Sequence, residues 1–144
     1  MNSLQTSNVD HIYIIDNDPV SRYITERLIK NEWGRISLQS FDSCELALHV
    51  IQLQEQFHQK EYPQLIILGS ELNEECSDRF LAALQQLKLT SLVYVMRDAE
   101  IDRFQSGPDN VAMIQGYLSK PVRRRSLSAI FDSYNQRVAG STSA

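Results

Sequence analysis

The chain has 144 residues, 42% of them hydrophobic and 22% charged, a balance that fits one globular domain with a core of its own rather than two. Fourteen Lys and Arg against eighteen Asp and Glu leave a net charge of −4, so no overall charge draws the protein to nucleic acid or to an anionic membrane. No apolar run approaches the ~20 residues that span a bilayer, and "MNSLQTSNVD" lacks the apolar core of a secretory leader, so a cytoplasmic protein is expected.

The elements alternate in type along the chain. "HIYII", residues 11–15, reads as a buried strand, and "DNDP" after it places Asp18 as an N-cap with Pro19 at the first helical position. Val20, Ile24 and Leu28 recur every four residues on one face of the helix that follows, and Trp33 with Gly34 supplies its stop. "ISLQSF" alternates as a strand does, and Asp42 and Ser43 are caps for a second helix through Leu46, Val50, Leu53 and Phe57. The polar "HQKEYPQ" leads into "LIIL", residues 65–68, a run suited to a strand buried on both faces and ending at Gly69. Phe80, Leu81, Leu84 and Leu87 mark an amphipathic third helix. "LVYVM", residues 92–96, is a fourth strand, and "RDAEIDRFQSG" allows about two turns of weak fourth helix before Gly107 and Pro108. "GYLS" is a short fifth strand running into Lys120 and Pro121. Leu127, Ile130, Phe131, Tyr134 and Val138 stripe the fifth helix. Residues 1–8 are expected to be a flexible N-terminus, 9–138 the domain, and 139–144 a fraying tail.

Five βα units with right-handed crossovers predict a doubly wound α/β fold, with a flavodoxin-like five-stranded parallel sheet in the order 2-1-3-4-5 and helices on both faces. That order gathers Asp16 and Asn17, Gly69, Met96 and Arg97, and Lys120 at the carboxyl end of the sheet, where α/β proteins place their chemistry. A glycine at the end of the central strand supplies no functional group there.

"IYIIDNDPVSRYI", "PQLIILGSEL" and "GYLSKPV" resemble the three signature stretches of the response-regulator receiver family, over roughly residues 9–138. The resemblance implies two acidic residues after strand 1 that hold Mg²⁺, an aspartate after strand 3 that accepts phosphoryl from a histidine kinase, a Thr or Ser after strand 4, and Lys-Pro after strand 5. Asp16 matches the first acidic position, Lys120 and Pro121 match the Lys-Pro pair, and Tyr117 matches the aromatic of the switch. Asn17 stands where the second acidic residue is usual, and Gly69 stands where the phosphoacceptor is usual. A phosphoaspartate requires a carboxylate nucleophile, and Mg²⁺ requires hard oxygens including one or two carboxylates.

The expectation is therefore a pseudo-receiver. Asp16, Asn17, Gly69, Arg97 and Lys120 form a degenerate pocket, with no phosphoryl transfer to aspartate, no enzymatic activity and no tight Mg²⁺, Asp16 being the one residual metal candidate. Ser70 or Glu71 as a displaced acceptor, and Asp18 as a second carboxylate, are the routes to the alternative of a phosphorylatable receiver with a rearranged site. A flavodoxin-like small-ligand binder is the other alternative, although no Gly-rich phosphate loop follows strand 1. Either Met96 or Arg97 faces the crevice. Arg97 forks to Asp16 or Asp18 in one reading and lies solvated on the surface in the other. Lys120, without an acceptor carboxylate at position 69, is expected to pair with Asp16. Protein partners, a histidine kinase or another signalling protein among them, or a second copy, are expected on the face of the fourth helix, fifth strand and fifth helix, through Ile101, Phe104, Tyr117, Pro121 and Arg123 to Arg125. His11, His49 and His58 have no ligand spacing, and Cys44 and Cys76 read as reduced packing residues.

Overall fold

The computed structural model describes residues 8–58, 61–69, 74–97 and 114–142. In chain order its elements are β1 (His11–Ile15), α1 (Pro19–Glu32), β2 (Ser37–Phe41), α2 (Cys44–Gln56), β3 (Leu65–Leu68), α3 (Glu74–Gln86), β4 (Leu92–Arg97), β5 (Ile114–Ser119) and α4 (Arg124–Thr142). All strands run parallel in one sheet of order β2-β1-β3-β4-β5. This is the expected doubly wound order. The fourth predicted helix, with Ile101 and Phe104, lies outside the described residues, and so do Ser70 and Glu71.

Side-chain alternation along the strands divides the core into two layers. Ile12, Ile14, Leu65, Ile67, Met96 and Leu118 pack on Ile29 and Trp33 of the α1 side and on Leu127 and Phe131 of α4. Tyr13, Ile15, Phe41, Ile66, Leu68 and Val93 meet Cys44, Ala47 and Ile51 of α2 and Phe80, Leu81 and Leu84 of α3. Every residue of β3 is buried, as a central strand covered on both faces requires. Each aliphatic side chain taken fully out of water contributes about 1.5–3 kcal/mol before entropy is counted.

Local chemistry sets the helix ends. Asp18 Oδ1 accepts from the amides of Val20 at 3.0 Å and Ser21 at 3.3 Å, with Pro19 next to it at the start of α1. The Trp33 amide closes the other end on the Ile29 carbonyl at 2.7 Å, and its buried indole meets Phe131 edge to face, centroids 4.4 Å apart. Ser43 Oγ caps α2 through the Leu46 amide at 3.3 Å. On β5, Gly116 pairs with Tyr94, and a Cβ there would lie 2.9 Å from Tyr94 Cε2, so the glycine makes room for the ring.

Two helices turn a different face to the sheet from the one their spacing suggests. α1 buries Thr25 and Ile29, with Leu28 half-buried, whereas Val20 and Ile24 are exposed. The first turn of α1 begins beyond the carboxyl end of β1, so its apolar residues overhang the core. Thr25 is tolerated inside because its hydroxyl donates to the Ser21 carbonyl at 3.0 Å. α2 buries Cys44, Ala47 and Ile51, leaving Leu46, Leu53 and Phe57 outside. Small side chains let that face approach the sheet, and a helix with two apolar stripes does not announce which one will be covered.

Candidate functional site: a pocket at the carboxyl end of the sheet

The parallel register brings Asp16 and Gly69 side by side. Ile15 is level with both Phe41 and Leu68. One step on, the Asp16 amide donates to the Phe41 carbonyl at 2.9 Å and the Gly69 amide donates to the Ile15 carbonyl at 2.7 Å. Asp16 is fully buried. Its Oδ1 accepts the Asp18 amide at 3.0 Å, and its main-chain carbonyl accepts from the Arg22 guanidinium at 2.6 Å. The carboxyl group is thus tied into the turn that starts α1.

This placement accounts for the glycine. A Cβ on Gly69 would sit 2.5 Å from Asp16 Oδ1 and 2.7 Å from Asp16 Cγ, both closer than real Cβ atoms come, and 3.2 Å from Asp16 Cα, a tight contact. The Asp16 carboxyl group fills the volume that a side chain at position 69 would need. Gly69 and the buried Asp16 carboxyl group are one packing arrangement.

The Mg²⁺ that the family resemblance implies does not fit these residues. Octahedral coordination needs converging, accessible oxygens. Gly69 provides none from a side chain, Asn17 replaces a carboxylate with an amide, and the Asp16 carboxyl group is buried with Oδ1 already engaged. No chemistry is routed through a metal here.

The end of β4 resolves the Met96 and Arg97 alternatives. Met96 is buried among Ile12, Ile14 and Leu118, with its sulfur 4.0 Å from the hydroxyls of both Ser21 and Thr25. Arg97 is half-buried and lays its guanidinium carbon 3.4 Å from the centroid of the Tyr117 ring. Neither of the two readings of Arg97 describes this. It is not forked to Asp16 or Asp18, and it is not a free surface charge. The cause is register: Val95 is level with Tyr117 and Arg97 with Ser119, so alternation puts Arg97 and Tyr117 on one face of neighbouring strands.

Lys120 closes the site from β5, its amide donating to the Arg97 carbonyl at 2.8 Å, and the Lys120–Pro121 peptide is cis. The expected pairing with Asp16 is not formed: Asp16 Oδ1 takes the Asp18 amide and Oδ2 is buried without a hydrogen bond. The Lys120 side chain instead lines a groove of about 250 Å³ with Asp18, Val20, Ser21, Ile24, Pro121 and Val122. The Asp16 carboxyl group lies against Gly69 and makes no ion pair with the lysine. Asn17, Pro121 and Tyr117 are exposed, as are Arg123, Arg124 and Arg125. Arg124 reaches Glu32 at 3.5 Å, a surface contact of small energetic weight.

Arg22 is the residue sequence reading missed. It lies six positions from the carbonyl it holds, a spacing with no motif attached, and only the turn geometry brings the two together. Away from the pocket, both cysteines are buried and unbridged. Burial pushes the Cys44 thiol up to about 11 although Ser77 lies 3.5 Å from it.

No protein-family model and no curated protein sequence matches the chain. Solved structures do. A two-component response regulator from Cytophaga hutchinsonii is 22% identical with a TM-score of 0.69, over 87% of this chain and 96% of that one. The signal receiver domain of an HD domain-containing protein from Pseudomonas fluorescens Pf-5 is 15% identical with a TM-score of 0.69, over 98% and 97%. The receiver domain of the Saccharomyces cerevisiae response regulator Ssk1, solved in complex with the histidine phosphotransfer protein Ypd1, is 11% identical with a TM-score of 0.64, over 91% and 92%. The chain therefore has the fold of response-regulator receiver domains, across nearly its whole length.

Proposed function

We propose that the protein is a receiver-like module of two-component signalling that does not accept a phosphoryl group on aspartate and acts by protein contact rather than catalysis. The observation that supports this most directly is the Asp16 carboxyl group, buried in the space that the side chain of an acceptor at position 69 would occupy. Arg97 supports it as well. A guanidinium stacked on Tyr117 stands where a small hydroxyl is expected, and it holds the ring by a contact that no phosphoryl group controls. The partner face on this reading is β5 with the start of α4, where exposed Tyr117 and Arg123 to Arg125 present an aromatic and a basic cluster to a signalling protein. Incubation of the protein with Mg²⁺ and acetyl phosphate, followed by intact-mass spectrometry, tests the reading. No phosphoryl adduct is expected. A stoichiometric adduct that hydroxylamine removes would overturn it in favour of a rearranged, working receiver.

A further inference from the structure

The chain's two cysteines meet where α2 packs against α3. Cys44 is the first residue of α2 and Cys76 lies in the first turn of α3, both in the core layer of Tyr13, Phe41, Leu68 and Phe80. The Cys44 sulfur is 3.5 Å from Ser77 Oγ, and the Cys76 thiol, one residue before that serine, is also within its hydrogen-bonding reach. More than thirty positions separate the two in the chain, and no motif spacing joins them. Two thiols already side by side need only side-chain rotation and closure to a sulfur–sulfur distance of about 2 Å to bond. The product is uncharged, so it suits this apolar layer without the desolvation cost of a thiolate.

We propose that Cys44 and Cys76 form an oxidation site, at which hydrogen peroxide joins the two thiols in a disulfide that ties the start of α2 to the start of α3. Cys76 reacts first. It stands between the exposed Glu75 and the half-buried Ser77, whereas burial pushes the Cys44 thiol up to about 11 and keeps that sulfur protonated. The Cys76 thiolate attacks one peroxide oxygen, the O–O bond breaks, and the sulfur becomes a sulfenic acid while the departing hydroxide takes up the thiol's proton as water. The Cys44 sulfur then attacks the sulfenic sulfur, the S–S bond forms, and the hydroxyl group leaves as a second water with the Cys44 proton. Two electrons pass from two thiols to one peroxide. The bond closes a loop of chain that contains α2, β3 and Gly69, and a small dithiol reductant reopens it. The inference goes beyond the pseudo-receiver reading and does not depend on it, since it uses neither Asp16 nor Lys120.

The test treats the full, reduced chain with hydrogen peroxide, blocks remaining thiols with N-ethylmaleimide, and reads the intact mass without reductant. A monomer lighter by two hydrogens that takes up no maleimide is expected, and trypsin should release peptides 36–60 and 61–79 linked to each other. Because the chain has only these two cysteines, pairing set by the fold is separated from chance pairing in a dithiothreitol redox buffer. The equilibrium constant for closing the bond should be at least about 30-fold larger in native buffer than in concentrated urea. Dimedone, which traps sulfenic acid, should label Cys76 in the Cys44→Ala variant and leave Cys44 unlabelled in Cys76→Ala, with circular dichroism to confirm that each variant folds. Two thiols that persist, disulfide-linked dimers in place of the bridged monomer, equal equilibrium constants with and without urea, or a label on Cys44 alone would each overturn the proposal.

Discussion

Gly69→Ala is the smallest change that probes the interlocked pocket. The added methyl carbon would stand 2.5 Å from Asp16 Oδ1 and 2.7 Å from Asp16 Cγ, an overlap of roughly 1 Å against ordinary contact distances. β3 cannot retreat, because Leu68 is buried and the Gly69 amide is bonded to Ile15. The Asp16 carboxyl group must move instead, and in moving it releases the Asp18 amide. Overpacking of a dense core costs about 1–3 kcal/mol, and loss of the hydrogen bond from the Asp18 amide costs about 0.5–1.5 kcal/mol in addition. We expect a net loss of about 2 kcal/mol, which for a domain of this length lowers the melting temperature by roughly 4–8 °C. Urea unfolding of the wild type, Gly69→Ala, Asp16→Ala and the double variant measures it. In the Asp16→Ala background the obstructing atoms are gone, so Gly69→Ala should cost about 1 kcal/mol less than in the wild type. A Gly69→Ala protein as stable as the wild type, or equal costs in both backgrounds, would refute the steric account of the glycine.

Millimolar Mg²⁺ should leave the melting temperature unchanged, because a ligand stabilises only by binding the native state and the described residues of the pocket offer no converging oxygen set; a saturable rise abolished by Asp16→Ala would contradict this. Arg97→Ala should cost roughly 0.5–1 kcal/mol through the lost stack on Tyr117, with little added cost when Tyr117→Ala is combined with it, as a double-mutant cycle by urea unfolding would show. Stability should fall as pH rises from about 9 toward about 11. The folded state holds the Cys44 proton more tightly than the unfolded chain, so its contribution is complete below the unfolded thiol's 9.0 and is lost through about 11. Burial raises Tyr13 and Tyr94 in the same direction, so Cys44→Ala should flatten the decline without removing it, and an unchanged slope would count against the assignment.

The order of elements was legible in the sequence because each strand and helix carries its own period and punctuation. "LIIL" reads as a covered strand, and Asp18 with Pro19 reads as a helix start after "HIYII", as the structure has them. Right-handed crossovers then left one common sheet order, and that order alone placed Asp16, Gly69, Arg97 and Lys120 at one end of the sheet. Local pattern did not decide direction. Leu46, Val50, Leu53 and Phe57 form a stripe as regular as any in the chain, yet the sheet took Cys44, Ala47 and Ile51, because close packing is decided by how near two surfaces can come and not by periodicity. The same holds in the pocket. That position 69 lacks a carboxylate is plain from one letter, but that the Asp16 carboxyl group lies against Gly69 and forms no pair with Lys120 depends on atoms brought together at the ends of β1 and β3, more than fifty residues apart in the chain. Arg97 settled on Tyr117 for a related reason: cross-strand register, which no single strand contains, chose its neighbour.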